Sequence, residues 1–134
     1  MLLAIPGARE ADLVTALDGP RSSVRVMRRC ADTTEMLAAA LAGLGEIAVV
    51  DAAVAGVDRQ FVRRLQQAGV HVVLLAPADD AERCRALGAE AVLEHAEGVD
   101  AWAHAVRHAA GELAAEGTGP RRSAASTSSR RDGR

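Results

Sequence analysis

Asp51 follows directly on the apolar run Ile47–Val50, and Asp58 stands seven residues further on. A carboxylate at the end of a strand can accept a phosphoryl group. That transfer calls for a divalent cation, and Mg²⁺ takes several oxygen ligands in near-octahedral geometry, so one carboxylate alone makes no phosphotransfer centre. His104 and His108 lie four residues apart with Asp100 one turn before them, a spacing that can ligate zinc. No Glu follows the first His as in H-E-x-x-H. Counted from the apolar Trp102, both point about 200° around a helix and so toward solvent, which makes them an expected surface pair. Cys30 and Cys84 have no C-x-x-C spacing and are expected to be two buried thiols of an α/β domain. All 16 basic residues are arginine, so neither a Schiff-base lysine nor a P-loop lysine is available.

The elements that must position these residues are legible in the hydrophobic pattern. Short apolar runs at Leu2–Ile5, Val24–Met27, Ile47–Val50, Val70–Leu75 and Ala91–Leu93 read as five strands. Between and after them, amphipathic stretches read as five helices. Residues 8–18 set Leu13, Val14 and Leu17 on one face. Asp32 with Glu35 resembles a capping box ahead of the stripe Met36, Leu37, Ala40, Leu41 and Leu44. The third helix starts after Asp58, buries Phe61, Val62 and Leu65, and stops at Gly69. Residues 79–87 form a fourth helix, whose opening acids Asp79, Asp80 and Glu82 suit the helix dipole. A last helix near 99–115 carries Trp102, Val106, Ala109 and Leu113.

Strands alternating with helices specify a parallel sheet covered on both faces. Strands one, three and four are continuously apolar and belong at its centre. Strand two alternates through Arg25 and strand five is short, as edges are. The expected architecture is a three-layer α/β/α, doubly wound, flavodoxin-like sheet of order 2-1-3-4-5. It spans residues 1–116, with a Ser/Gly/Arg-rich linker or tail at 117–134.

Composition narrows the function classes. With 49% hydrophobic residues but only Trp102 and Phe61 as aromatics, the core is built from Ala, Val and Leu. It offers few platforms for stacking nucleic-acid bases. The tail holds five arginines against Asp132 and carries +4; with the whole chain at −2, the body carries −6 and is unsuited to nucleic acid. No apolar run approaches the roughly 18–20 residues that span a membrane, and Leu2–Pro6 is too short for a signal-peptide core, so a cytoplasmic location is expected. The arginine and alanine bias suits a high-GC, actinobacterial genome. The turn Pro6-Gly7-Ala8-Arg9 after strand one lacks a phosphate loop for FMN, D-x-H-x-x-G for cobalamin and G-x-G-x-x-G for dinucleotides, and no cofactor is expected.

The segment Asp51-Ala-Ala-Val-Ala-Gly-Val-Asp58-Arg59 resembles the receiver-domain signature D-x-x-M-P-x-M-D-G, and Leu87-Gly-Ala-Glu-Ala-Val-Leu93 resembles the G-A-x-x-Y-L segment leading into strand five. The resemblance implies that Asp51 occupies the phospho-acceptor position. Receivers add an acidic pair after strand one, Ser or Thr after strand four, and Lys after strand five. Here those positions hold Pro6 and Gly7, Ala76, and His95. The expected reading is an inactive phospho-acceptor, with Asp51 capping a nearby backbone amide. The alternative is a phosphorylatable response-regulator receiver using Asp51.

The body also resembles the pseudo-receiver domain that precedes MinD-like or CpaE-like ATPases of actinobacteria, associated with septum-site placement or pilus assembly. The resemblance rests on Val26-Met-Arg-Arg-Cys30-Ala-Asp32, on Val57-Asp58-Arg59 with Leu65-Gln-Gln-Ala68-Gly69-Val70-His-Val-Val73, and on Arg83-Cys-Arg-Ala-Leu87-Gly88. It implies a non-catalytic regulatory or docking module. No Walker motif is present, so the ATPase partner would be fused or encoded nearby. Two surfaces are candidates for docking: the arginines Arg59, Arg63 and Arg64, and a face of the last two helices. In receivers the latter face often mediates dimerisation, and Ala81, Cys84 and Trp102, with the small residues Ala103 and Ala110, would permit a homodimer here.

Overall fold

Each of the apolar runs within the described residues becomes a strand. The computed structural model describes residues 1–17 and 28–117, with side chains to 115. In chain order the elements are β1 (Leu2–Ala4), α1 (Ala8–Leu17), β2 (Arg28–Arg29), α2 (Thr33–Leu41), β3 (Ile47–Asp51), α3 (Arg59–Gln67), β4 (His71–Ala76), α4 (Ala81–Arg85), β5 (Ala91–Glu94) and α5 (Val99–Gly117). The strands form one parallel sheet of order β2-β1-β3-β4-β5, as the strand character predicts.

The central strands are buried on both faces because helices cover both. Ala48, Val50, Val72 and Leu74 point toward α2, α3 and α4, where Met36, Phe61, Val62, Leu65 and Cys84 meet them. Ile47, Val49, Val73 and Leu75 point toward α1 and α5, against Leu13, Leu17, Trp102 and Val106. The alternation is the period of two inherent in a pleated strand. Burying each leucine-sized side chain contributes roughly 1.5–3 kcal/mol, so these two layers dominate stability. At the edges the environment changes: Arg28 and Arg29 of β2 are exposed, and β5 is half-buried throughout.

Local chemistry sets the helix ends. Asp32 Oδ1 accepts from Glu35 N at 2.8 Å, and Glu35 Oε1 accepts from Ala31 N at 2.5 Å. The reciprocal pattern is a capping box shifted by one residue at its return bond. Asp58 Oδ1 accepts from Phe61 N at 2.8 Å and so starts α3. Gly69 closes that helix with φ +85°, while Val70 N donates to Leu65 O and Gly69 N to Gln66 O, the paired bonds of a Schellman end.

Three expectations need correction. The expected helix over 79–87 is a 3₁₀ turn at Ala78–Asp80 followed by only five α-helical residues, since Pro77 and Gly88 leave little room between β4 and β5. Leu41 does not join the core stripe of α2; it is 78% exposed, and Ala39 and Ala40 take the buried side with Met36. Leu41 sits one turn beyond Leu37, a row rotated about 100° from Met36 and Ala40 and therefore off the sheet. Leu44 lies past the helix end, packed on the core from the loop. Strand two as expected at Val24–Met27, and the tail from 118 onward, lie outside the described residues.

Candidate functional site

The carboxyl edge of the sheet brings together the positions singled out in the sequence. Ala4 pairs with Val50, so Pro6 and Gly7 leave β1 beside the end of β3. Asp51 pairs with Leu75 and Ala76 with Glu94, so His95 follows just past the end of β5. Asp51 and His95 have the same face parity as Leu75 and Leu93, on the side of α1 and α5. The imidazole therefore crosses the end of β4 and reaches the carboxylate.

The contact is direct: His95 Nε2 lies 2.9 Å from Asp51 Oδ2. The other carboxylate oxygen, Oδ1, accepts from Ala53 N at 2.9 Å. Asp51 is 1% exposed and is the one buried charged residue among the described residues, while the His95 side chain retains 20% exposure. A carboxylate oxygen only accepts, so Nε2 carries the shared proton. The imidazole is held from behind by a turn at His95–Glu97, where Glu94 and Glu97 cap each other's backbone. Trp102 Nε1 donates to Glu94 O at 3.1 Å and ties α5 to the same corner.

This arrangement satisfies Asp51 internally. Its two oxygens face a backbone amide and an imidazole, and the neighbouring strand ends supply Pro6, Gly7 and the fully buried Ala76. Among the described residues no three His, Cys, Asp or Glu side chains are grouped to hold a metal ion. The Mg²⁺ that a receiver-type phosphotransfer requires therefore does not fit this donor set. A His–Asp pair can also activate a nucleophile, but among the described residues no hydroxyl or thiol is hydrogen-bonded to either member.

The other candidates separate. Asp58 is committed to the start of α3 through its bond to Phe61 N. His104 and His108 are both exposed, and His108 pairs with Glu112 on its own helix at 3.4 Å. Cys30 and Cys84 are free and buried. Burial pushes both thiols above the ordinary range; the nearby Asp80 carboxylate adds to the effect at Cys84, as Glu35 does at Cys30. High thiol pKa values disfavour the thiolate and with it redox chemistry.

The expected surface built on Ala81, Cys84 and Trp102 is not a surface. These residues are 1%, 0% and 3% exposed and pack under α4 and α5, as does Ala103. Their small or apolar side chains serve the helix–sheet interface, which leaves none of them to a partner. The arginines differ among themselves. Arg59 Nη2 donates to Ala86 O at 3.0 Å and joins α3 to the end of α4. Arg63 and Arg64 are exposed. The hydrogen bond between His95 and Asp51 is not legible in the pattern of either strand alone; its one signal is their shared face parity at the ends of β3 and β5, on either side of β4.

No family model matches the chain, and no curated protein matches it. Among solved structures, the chain is similar to the REC (receiver) domain of AraT, a response regulator from Geobacillus stearothermophilus. The TM-score is 0.72 at 17% sequence identity, covering 87% of this chain and 96% of that one. This chain has a receiver-like fold. The likeness extends to architecture, and the chemistry of the strand-end residues is this chain's own.

Proposed function

We propose that this chain is a non-catalytic, receiver-like binding module that regulates or docks a MinD-like or CpaE-like ATPase in septum-site placement or pilus assembly. The observation that carries the non-catalytic part is the closed state of Asp51: 1% exposed, one oxygen on Ala53 N and the other on His95 Nε2. Phosphorylation would have to expel the imidazole and assemble a cation site without the carboxylates that Pro6 and Gly7 replace. The ATPase partner rests on the pseudo-receiver resemblance. Among the described residues, no helix is long and apolar enough to cross a membrane.

Incubation with acetyl phosphate and Mg²⁺, followed by intact mass measurement, should leave the mass unchanged. An added phosphoryl group that disappears in Asp51→Asn would instead establish a phosphorylatable response-regulator receiver. In parallel, the immobilised chain should retain a MinD-like ATPase of its source organism, and Asp51→Asn should retain it equally. Failure to bind any such ATPase would refute the assigned partner.

A further inference from the structure

The unexpected exposure of Leu41 has a counterpart across the gap to α3. Leu37 and Leu41 of α2 form one wall of a groove, and Arg64, Gln67 and Ala68, at the end of α3, form the other, enclosing about 310 Å³. Leu41 is the one exposed large hydrophobic residue among the described residues. Leu37 and Leu41 lie four residues apart, about 6 Å of rise, and Arg64 stands three and four residues before Gln67 and Ala68, so the trough runs between two helical ridges and matches the ridge of a third helix.

We infer that this groove between α2 and α3 docks an acidic amphipathic helix of a partner protein, seating a leucine-sized side chain between Leu37 and Leu41 and a carboxylate on Arg64. Charge complementarity selects this occupant. Arg63 and Arg64 are exposed and make no ion pair among the described residues, in a body that is otherwise net acidic. The chain's own 118–134 segment, with five arginines against Asp132, has the wrong sign to pair with Arg64. A second copy, paired symmetrically through this groove, would bring two Arg63–Arg64 pairs of like charge into one small interface. An apolar centre with a charged rim is the pattern of helix-in-groove recognition, and its small size suits a transient complex. The inference rests on the binding-module reading but not on the ATPase. A chain that holds the ATPase through another face would lose this groove proposal and keep that reading.

The test uses the ¹⁵N-labelled full chain and two synthetic helical peptides with identical leucine spacing, one flanked by Glu and one by Lys. The Glu peptide should shift the amide resonances of Leu37, Leu41, Arg64, Gln67 and Ala68. Leu41→Glu and Arg64→Glu should each weaken binding at least ten-fold with unchanged circular dichroism, and Arg64→Lys should keep most of it. The Lys peptide should not bind. No shift, shifts elsewhere, or equal binding of both peptides would overturn the inference. So would Leu41-dependent self-association in sedimentation, or groove resonances that move when residues 118–134 are removed.

Discussion

His95→Ala is the most informative single change in this molecule. It deletes the imidazole that meets Asp51 Oδ2 at 2.9 Å and leaves a carboxylate, 1% exposed, with Ala53 N as its one remaining partner among the described residues. A hydrogen bond to a charged group is worth about 1.5–3 kcal/mol, and stranding a buried polar group costs about 1–3 kcal/mol more. Because the His95 side chain is 20% exposed, water can enter the space it leaves and lower the second cost, so the net loss is about 3 kcal/mol. For a domain of this size that lowers Tm by more than about 10 °C. Asp51→Ala alone should cost less than the sum of its broken bonds, because it also removes the buried charge. Urea unfolding of wild type, both single variants and the double variant closes a cycle whose coupling should be about 1.5–3 kcal/mol. A coupling below about 0.5 kcal/mol would mean that the two side chains do not sustain each other and that Asp51 is not held closed by His95. The His95→Ala protein should also remain unmodified by acetyl phosphate, since freeing one oxygen does not create cation ligands.

Alkaline titration offers a second check, because the chain has neither lysine nor tyrosine. The folded state holds the protons of Cys30 and Cys84 above their ordinary value, chiefly through burial, so it binds more protons than the unfolded chain. Stability should therefore be intact below about pH 9 and fall above it, by at most about 1.4 kcal/mol per pH unit for each thiol, and a Cys30→Ala, Cys84→Ala variant should lose that slope. The Met1 amino group, lowered by burial, acts in the opposite sense: it opposes folding below about pH 8 and ceases to do so as pH rises toward that value. Gly56→Ala should destabilise by about 1–3 kcal/mol in urea melts, since φ is +94° and a Cβ would stand 2.7 Å from Thr33 Oγ1; a neutral outcome would show that the loop relaxes freely. Cys84→Glu should unfold the domain, not merely disturb a surface, because it places a charge at a site with 0% exposure; native circular dichroism would contradict that burial.

Much of the fold could be read along the chain because its determinants are local. Continuous apolarity at Leu2–Ala4, Ile47–Val50 and Val72–Leu75 marks strands covered on both sides, and the weaker ends of the pattern mark the edges. Asp32, Asp58 and Gly69 announce helix ends through side-chain and backbone chemistry spanning only a few residues. The residues at the strand ends beside Asp51, namely Pro6, Gly7, Ala76 and His95, could likewise be named from their places after each apolar run. What lies across the sheet was not. The bond between His95 and Asp51 joins positions 44 residues apart, and only parallel register over β3, β4 and β5 sets them on one face and edge. Burial of Ala81, Cys84 and Trp102, and exposure of Leu41, depend on how each helix is rotated and where it ends against its neighbours. Helical periodicity defines a face but not the angle at which that face meets the sheet; side-chain packing between layers sets that angle, and it exists only once the chain has closed upon itself.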